Sequence, residues 1–392
     1  MLKDETPEQL MRRWQRRLFH NVRQNLPDLL VTIFPRFVGE AQATSLVKTK
    51  MLEYWSGSTS RGVFVLFHPL YKLPIRPLGS LDAFQPGSND PESIYTVGIG
   101  DRMELGFLAG HCDHNRKSDV LRVGFHAAKG RRDERIHMFT PLAMTRESGD
   151  SYLLFSDPTL TLSKKSILTW YLGTPDVNPD DAIERIVRRM LEATGAKYLL
   201  IEGSSAGGFM SMRFASRFHN AVAVPKMPQT DLFRYRTPWL SEALRESGWS
   251  GENYESVMSN HPQRFRIADI YNNREWHRNN IVHYVQNIGD TTHVEDQLKP
   301  LLYELGAAQE SFSVRRGQFS ISRPFTGAGH VAMPKAYWIA ENQFALNRLR
   351  RMRPEPTLET KWQVPTQHTV DPTLVSRRIE NLALHLDGNR SW

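Results

Sequence analysis

The sequence has few of the features that would place it in several large classes of protein. Its 392 residues include one cysteine, Cys112, so no intrachain disulfide can form and cysteine-based zinc sites are excluded. It contains no run of about 18 apolar residues, so we predict no membrane-spanning helix. The N-terminal stretch MLKDETPEQLMRRWQRRLF lacks the apolar centre of a secretory signal. We therefore expect a cytoplasmic protein.

Internal repeats and low-complexity tracts are also absent from the sequence. An apolar content of 40%, with nine tryptophans and 19 phenylalanines, predicts an ordinary globular core. The net charge of +8 favours an anionic partner, such as nucleic acid, lipid headgroups or an acidic glycan. No pattern typical of an RNA-recognition, zinc-finger or helix-turn-helix domain accompanies this charge, so we expect no nucleic-acid partner.

Residues 1–60 form a predicted basic N-terminal segment whose main element is a helix over residues 7–26. Apolar residues recur every four positions on one face of this helix, and arginines surround them. Two interpretations stay open. The helix docks on the body of the protein with its basic side in solvent, or it binds an anionic membrane surface and makes the protein peripheral to the membrane.

Residues 61–352 are predicted to form the main domain. In residues 61–110, the runs GVFVLF, SIYTVGIG and MELGFLAG read as early strands, which form either a small β unit or the first antiparallel strands of a larger sheet. After them, strands alternate with helices, which predicts a mainly parallel sheet covered on both faces. The predicted later strands are VLRVGFHAA, SYLLFSDPTL, YLLIE, AVAVP, IVHYVQN and QFSISRPF.

The clearest predicted helix is NPDDAIERIVRRMLEATG, with Asn178 as its N-cap, Pro179 in its first turn and Gly195 at its end. Further helices are predicted over residues 209–218, 294–305 and 334–350. Residues 228–278 are rich in Trp, Arg, Tyr and Asn without a clean period, and we interpret them as an inserted cap. Residues 353–392 form a predicted C-terminal tail that ends in a short helix.

The stretch KYLLIEGSSAGGF carries the strongest chemical signal. Gly203-Ser204-Ser205-Ala206-Gly207 fits the pattern G-x-S-x-G, with an apolar strand before it and a helix after it. In a nucleophile elbow, the serine occupies a strained turn, and the glycines allow backbone segments to approach closely. The alternative is a plain Gly/Ser turn or a phosphate-binding loop, but the lysine of a P-loop is missing. We therefore predict that Ser205 is a nucleophile.

A nucleophilic serine needs a base, and the base needs an acid that orients it. Asp290 follows the strand IVHYVQN, and His330 lies in the small-residue loop TGAGH after the last strand. This chain order of serine, acid and histidine is the one expected on such a sheet. We predict a Ser205–His330–Asp290 triad, with Glu295 and Asp296 as weaker candidates for the acid.

The remaining site predictions concern the oxyanion and the substrate. The candidate oxyanion donors are the backbone N–H of Ala206 and that of Ala127, with Ala128 as the alternative to Ala127. His126, Lys129 and Arg131 follow or flank the same strand end and are candidate substrate contacts. Trp239 and Trp276 in the cap could present flat apolar faces to a sugar. His293, three residues after Asp290, is either a pocket residue or a helix-start residue.

The motif HCDH at residues 111–114 is the one stretch that looks like a metal site. Adjacent ligands on a loop seldom reach one ion together, and no second cluster of ligands is evident in the sequence. We therefore expect no metal and no cofactor.

Over about residues 115–350 the chain resembles the α/β-hydrolase superfamily, through the elbow, Asp290 and His330. More narrowly, it resembles bacterial hydrolase-like proteins associated with surface polysaccharide synthesis and accessory glycoprotein secretion. The segments that carry this likeness are FHAA, FSDPTLTL, TWYLGT, GSSAGGF, MPQTDLFRY, QNIGDTTH and GAGH.

The resemblance implies an α/β-hydrolase fold and serine-based acyl chemistry. We expect a hydrolase that cleaves a carboxylic ester, with an acylated glycan as the implied substrate. Two alternatives remain: an acyltransferase acting on a sugar hydroxyl, and a non-catalytic assembly protein of glycan or secretion machinery. Ala127 stands where many relatives carry His-Gly, and Ala206 where many carry Gly, but both retain the N–H that an oxyanion hole needs.

Overall fold

The computed structural model describes residues 66–352, with short gaps. The predicted basic segment 1–60, including helix 7–26, and the predicted tail 353–392 lie outside the described residues. The gaps are residues 69, 88–89, 113–117, 131–136, 163–165, 236, 250–255, 257–259, 273–279, 309–310, 312 and 315–317. In the described part of the chain, no helix is both long enough and apolar enough to cross a membrane.

One 11-stranded sheet runs through the described residues, in the order β1-β2-β3-β4-β6-β5-β7-β8-β9-β11-β10. Six neighbouring strands from β6 to β11 pair in parallel, whereas β4 is antiparallel to both β3 and β6. The strands are β1 (Leu66–Phe67), β2 (Pro74–Leu78), β3 (Ser93–Ile99), β4 (Met103–Gly110), β5 (Val120–Phe125), β6 (Ser151–Phe155), β7 (Tyr198–Ser204), β8 (Ala221–Lys226), β9 (Ile281–Val285), β10 (Ser313–Val314) and β11 (Phe319–Ser322).

The helices cover both faces of this sheet. Two short helical segments follow Asp290 directly, joined by a π-helical turn over Val294–Leu298. The helices are α1 (Leu142–Ser148), α2 (Pro179–Thr194), α3 (Ala206–Ala215), α4 (Thr237–Glu246), α5 (Pro262–Phe265), α6 (Ile267–Tyr271), α7 (Thr291–His293), α8 (Lys299–Glu304) and α9 (Lys335–Arg351).

Successive side chains of the central strands point to opposite faces of the sheet, which divides the core into two layers. Leu199 and Ile201 of β7 point into the larger core, which includes α2 and α3, whereas Leu200 points to the opposite face. There it packs in a smaller cluster with Trp338 and Leu346 of α9. A strand with this pattern is buried on both faces, which explains why YLLIE reads as a continuous apolar run.

Helix α2 follows its sequence signals closely. The Asn178 side chain accepts a hydrogen bond from the backbone N–H of Asp180, and Gly195 ends the helix with a φ of 65°. The predicted apolar stripe of α2 is buried in the larger core. These end signals fixed the bounds of the helix because each acts within a few residues along the chain.

The early strands belong to the main sheet, which decides between the two interpretations of residues 61–110. Strand β3 pairs with β4 over its whole length, and β4 pairs in turn with β6 on its other side. Several predicted bounds need correction. Strand β5 ends at Phe125 rather than 128, β6 at Phe155 rather than 160, and β11 at Ser322 rather than 325. Helix α3 spans Ala206–Ala215 rather than 209–218, and the helical segment after β9 begins at Thr291 rather than 294.

From β3 to β11 the strand order is that of the α/β-hydrolase fold: an antiparallel second strand, one exchange between neighbouring strands, and a parallel remainder. The predicted α/β class, with a mainly parallel sheet flanked by helices, is confirmed. In such sheets the carboxyl ends of the strands gather at one edge, where sites form. Ser205, Asp290 and His330 follow β7, β9 and β11 at this edge.

Candidate active site

Ser205 lies in a sharp turn between β7 and α3. Its backbone has a φ of 54° and a ψ of −118°, in a region that side-chain-bearing residues rarely adopt. Its N–H donates to the carbonyl of Lys226 at 2.9 Å, and its carbonyl accepts from the N–H of Phe209 at 2.9 Å. These two bonds hold the strained turn in place and leave the hydroxyl at the carboxyl edge of the sheet.

The glycines around Ser205 are required by close backbone contacts. A Cβ on Gly203 would lie 2.2 Å from the carbonyl oxygen of Gly207. A Cβ on Gly207 would lie 2.2 Å from the carbonyl oxygen of Phe125, at the end of β5. The turn therefore packs directly against the loop that carries Ala127, which explains the glycine spacing of the motif.

Ser205 is 6% exposed, and its hydroxyl accepts a hydrogen bond from Gln229 Nε2 at 2.9 Å. The same nitrogen lies 2.9 Å from Nε2 of His293. Within the described part of the chain, Ser205 Oγ makes no hydrogen bond to His330 or to His293. The side-chain amide of Gln229 therefore stands between the serine and the buried histidine.

Asp290 lies just after β9 and binds two histidines. Its Oδ2 is 2.5 Å from Nδ1 of His330, and Nδ1 of His293 lies 3.1 Å from its Oδ1. Burial by itself would raise the pKa of Asp290, but the hydrogen bonds and positive potential of the two histidines outweigh it and hold the pKa well below its ordinary value. Asp290 is therefore a carboxylate at neutral pH, and it can hold a proton on Nδ1 of each ring.

The loops that carry Asp290 and His330 are joined to each other by Asn287. Its Nδ2 donates to the carbonyls of Gly327 and Gly329, and its Oδ1 accepts from the N–H of Thr326. Backbone contact between the loops is so close that a Cβ on Gly289 would lie 2.1 Å from the carbonyl oxygen of Gly327. Asn287 thus fixes the geometry between the acid and His330.

Ala206 and Ala127, the predicted oxyanion donors, lie on the two backbone segments that meet at Gly207. Ala206 opens α3, and Ala127 is the second residue after β5. The carbonyl of Ala127 accepts a hydrogen bond from Nδ1 of His126. The Ala127–Ala128 peptide is therefore held by a side chain rather than by a strand, and the role of Ala127 as an oxyanion donor stays a prediction.

His126 is a buried residue of this loop that is hydrogen-bonded through both ring nitrogens. It is 2% exposed, and its Nε2 accepts from the N–H of Asp157 at 2.9 Å. Burial, the largest influence, lowers the pKa of His126, so the ring is neutral with its proton on Nδ1. The sequence predicts His126 as a substrate contact, but both ring nitrogens are bonded within the protein, to the carbonyl of Ala127 and the N–H of Asp157.

Behind the elbow, a buried polar cluster ties β7 and β8 to helix α9. Glu202 accepts hydrogen bonds from Lys226 Nζ at 3.1 Å, Trp338 Nε1 at 2.5 Å and Asn342 Nδ2 at 2.6 Å. Burial lowers the pKa of Lys226 to about 8 despite the neighbouring Glu202 carboxylate. This cluster lies on the opposite face of the sheet from Gln229, so it supports the turn without reaching the serine hydroxyl.

The other predicted substrate contacts have different environments. Lys129 is buried, and its N–H donates to the carbonyl of Ile167. Trp239 is half-buried and packs against the larger core. Arg131 and Trp276 lie outside the described residues. Another tryptophan of residues 228–278, Trp249, is fully buried, and its Nε1 donates to the carbonyl of Gly173.

The weaker candidates for the acid are both exposed. Glu295 pairs with Lys299 at 2.6 Å, one helical turn along the chain. Burial raises the pKa of Asp296, and this carboxylate has no hydrogen bond to His330 within the described residues. Asp290 alone among the three is bonded to His330.

Asp290, His293 and His330 are close enough to suggest a metal site, because one potential ligand atom of each lies within 4.8 Å of the others. The two imidazole rings are stacked, however, with their planes 13° apart. Nitrogen lone pairs lie in the ring plane, so stacked rings do not direct them to one ion. Both Nδ1 atoms face Asp290 instead. The arrangement is that of one carboxylate that accepts a hydrogen bond from each of two imidazole rings.

Sequence reasoning missed Gln229 entirely and did not decide the place of His293. Gln229 lies in the segment MPQTDLF, which has no recognised catalytic pattern. His293 is at once the last residue of α7 and a buried residue of the site. The available signal was the spacing of His293 three residues after Asp290, which puts both side chains on one side of a helical turn.

No protein-family model and no curated protein sequence matches the chain. Among solved structures, it is similar to the capsule O-acetyltransferase of Neisseria meningitidis serogroup A, with 14% identity and a TM-score of 0.46 over 78% of this chain and 99% of that one. It is also similar to an α/β serine hydrolase without a lid from Xanthomonas campestris, with 13% identity and a TM-score of 0.40 over 69% and 100% of the two chains. An S-formylglutathione hydrolase from Agrobacterium tumefaciens matches with 12% identity and a TM-score of 0.42, over 66% and 93%.

These similarities are low in identity, and the fold is established by the chain itself. The strand order places β7 in the centre of a mainly parallel sheet, and Ser205 turns sharply from β7 into α3. Asp290 and His330 follow later strands at the same edge. The described chain therefore has the α/β-hydrolase fold.

Proposed function

We propose that this protein is a serine hydrolase that cleaves a carboxylic ester through an acyl-enzyme on Ser205. The observation that carries the proposal is a strained elbow serine at the same sheet edge as a bonded Asp290–His330 pair. In this mechanism Ser205 Oγ attacks the ester carbonyl carbon and passes its proton to Nε2 of His330. Asp290 keeps the other ring proton on Nδ1 and stabilises the imidazolium.

The oxyanion of the tetrahedral intermediate is bound by the N–H groups of Ala206 and Ala127. The protonated His330 then gives its proton to the leaving alcohol as the C–O bond breaks. Water attacks the acyl-enzyme and loses a proton to His330, which returns it to Ser205 Oγ as the acyl C–O bond breaks and the acid is released. His330 suits this role because its side chain is 34% exposed, so an incoming water can reach it.

Fluorophosphonate labelling followed by peptide mapping tests the nucleophile. We expect one adduct, on Ser205, and none in the Ser205→Ala variant. Ser204→Ala is the matched control and should label normally, because Ser204 ends β7 outside the turn. A folded wild-type protein that takes up no probe, or an adduct on Ser204, would contradict the proposal.

We further propose that the substrate is an acylated glycan. Support comes from a cavity of about 300 Å³ lined by Arg234, Glu295, Lys299, Pro300 and Tyr303. Tyr303 is 77% exposed and offers an aromatic face, and the charged side chains offer hydrogen-bonding groups suited to a sugar. Two lining residues lie close in the chain to residues of the site: Glu295 follows His293 by two positions, and Arg234 precedes Tyr235, whose ring lies 5.7 Å from the ring of His293.

The test of the glycan compares a small acetyl ester with an O-acetylated oligosaccharide. We expect Tyr303→Ala to leave the small ester unchanged and to lower kcat/KM for the oligosaccharide by about tenfold, which corresponds to about 1.4 kcal/mol. Tyr337→Ala removes an exposed tyrosine of α9 and serves as the control. Equal losses on both substrates would remove the support for a sugar at this cavity.

Hydrolysis and acyl transfer share every step up to the acyl-enzyme. The two differ in whether water or a sugar hydroxyl attacks it. Product analysis with an added oligosaccharide acceptor distinguishes them: free acid shows hydrolysis, and acylated acceptor shows transfer.

A further inference from the structure

The amide of Gln229 is held in one orientation by its neighbours. Its Oε1 accepts a hydrogen bond from Nε1 of Trp170 at 3.0 Å. An indole N–H can only donate, so the oxygen of the amide must face Trp170. The NH2 group of Gln229 therefore faces Ser205 Oγ and His293 Nε2, with one hydrogen for each.

The orientation of Gln229 also fixes the state of His293. Because Nε2 of His293 accepts from the amide, the ring proton lies on Nδ1, where Asp290 accepts it. His293 is 3% exposed and has its Nε2 already in use. It is therefore poorly suited to take a proton from Ser205, whereas Nε2 of His330 makes no hydrogen bond among the described residues.

The backbone around this group is strained. Seven non-glycine residues of the described chain have a positive φ, and four of them are Ser205 itself, Trp170, its chain neighbour Tyr171, and Met227, two residues before Gln229. Their φ values are 54° for Ser205, 50° for Trp170, 57° for Tyr171 and 46° for Met227. Such strain persists only where the surrounding structure enforces it, and it is concentrated at functional sites. Here the indole of Trp170 binds Gln229, and the side chain of Gln229 binds the serine.

We propose that Gln229 is a catalytic residue that donates a hydrogen bond to Ser205 Oγ during acylation, with Trp170 and His293 as its positioning residues. This rests on the proposed serine chemistry. A hydroxyl has one proton and two acceptor sites. Gln229 occupies one acceptor site, which leaves the proton for His330 and the other lone pair for the carbonyl carbon.

The hydrogen bond from Gln229 gains strength as the reaction begins. When Ser205 Oγ passes its proton to His330, negative charge develops on Oγ, and a bond to an ionised acceptor is about twice as strong as a neutral one. Because the amide is already oriented and buried, this gain requires no reorganisation. Gln229 therefore stabilises the transition state of attack more than it stabilises the resting enzyme.

The test is the rate of Ser205 phosphonylation, which needs no knowledge of the natural substrate. Gln229→Glu keeps an oxygen for Trp170 but replaces the donating NH2 with an acceptor. Gln229→Met has a side chain of similar length and removes the hydrogen bonds to both Ser205 and Trp170. We expect each to lower the rate of covalent bond formation by about ten- to a hundredfold, the effect of losing one charge-assisted bond. The apparent affinity for the probe should change little.

Gln297→Glu is the matched control. Gln297 is equally buried and accepts from the N–H groups of Thr230 and Asp231, so it holds the same segment without touching Ser205. We expect it to label at the wild-type rate. Trp170→Phe, which keeps a ring but removes the donor, should give a loss smaller than Gln229→Met, because the amide is then free to turn.

Two results would overturn the proposal. One is wild-type labelling of folded Gln229→Glu, and the other is an equal loss in Gln229→Glu and Gln297→Glu, which would assign the effect to the packing of the segment. Melting temperatures of all variants establish folding. A folded wild-type protein that never labels would instead refute the serine mechanism itself, so the two failures are distinct.

Discussion

The imidazole rings of His293 and His330 are stacked, with their centroids 4.2 Å apart, and both donate to the carboxylate of Asp290. One acid thus orients two bases that differ in access: His293 is buried, and His330 reaches solvent. The two rings also differ in their Nε2 atoms. Nε2 of His293 is bonded to Gln229, whereas Nε2 of His330 can accept a proton.

His330→Ala should lose about a thousandfold or more of the turnover of a small ester, because the proton acceptor is gone. Combining it with Ser205→Ala should add little, since the two act as a unit. His293→Asn is the comparison, and we expect about a tenfold loss, because His293 acts through its bonds to Gln229 and Asp290 and takes no proton from the serine. Steady-state kinetics measure all three, and a larger loss in His293→Asn would reverse the assignment of the base.

Asp290→Asn should cut turnover by about 10³- to 10⁴-fold, since an amide no longer fixes the proton on Nδ1 of His330.

The low pKa of Asp290 also predicts a pH effect on stability. A carboxyl whose folded pKa lies below its unfolded value of about 3.9 stabilises the fold above that pH and loses this contribution as pH falls.

The stability difference between wild type and Asp290→Asn should therefore be constant from pH 5 to 7, as an approximate window, and should shrink below about pH 4. Urea unfolding at a series of pH values measures it. A difference that grows on acidification would mean that the carboxylate is not stabilised by the two histidines.

Asn287→Ala should both destabilise the protein and impair the site. It leaves the carbonyls of Gly327 and Gly329 without their donor, and we expect a loss of about 3 kcal/mol in the free energy of unfolding. Chemical denaturation and ester turnover are the measurements. Asn347→Ala, at an exposed position of α9, is the control and should be neutral.

Gly207→Ala should be among the most damaging changes at the elbow. The new Cβ would meet the carbonyl oxygen of Phe125 at 2.2 Å, so the elbow or the Ala127 loop must move. We expect a loss of about 2–3 kcal/mol in stability and much slower phosphonylation of Ser205. Gly79→Ala, where no atom lies within 4 Å of the added Cβ, should change neither.

The sequence predicted the central strands and the elbow because their signals are local. Leu199, Leu200 and Ile201 form a continuous apolar run, and the glycines around Ser205 follow a fixed spacing. Strand β2 was missed because PIRPL contains two prolines, which argue against a strand. Its place at the edge region of the sheet, beside β3, tolerates them.

The contacts of Gln229 could not be predicted, because they join distant parts of the chain. Trp170 lies 59 residues before it and His293 lies 64 residues after it. No spacing rule connects such positions, and a glutamine in a polar segment has no pattern of its own. The chain order of Ser205, Asp290 and His330 was predictable because the fold restricts where each can follow a strand.

The hydrogen bonds of Asn287 have a mechanical consequence. They join the loop of Asp290 to the loop of His330, and Gly329 adds a backbone bond from its N–H to the carbonyl of Gly289 at 2.7 Å. The Asp290–His330 geometry is therefore held by side-chain and backbone bonds that do not include the elbow, while the nucleophile is anchored through the hydrogen bond from its own N–H to Lys226 of β8.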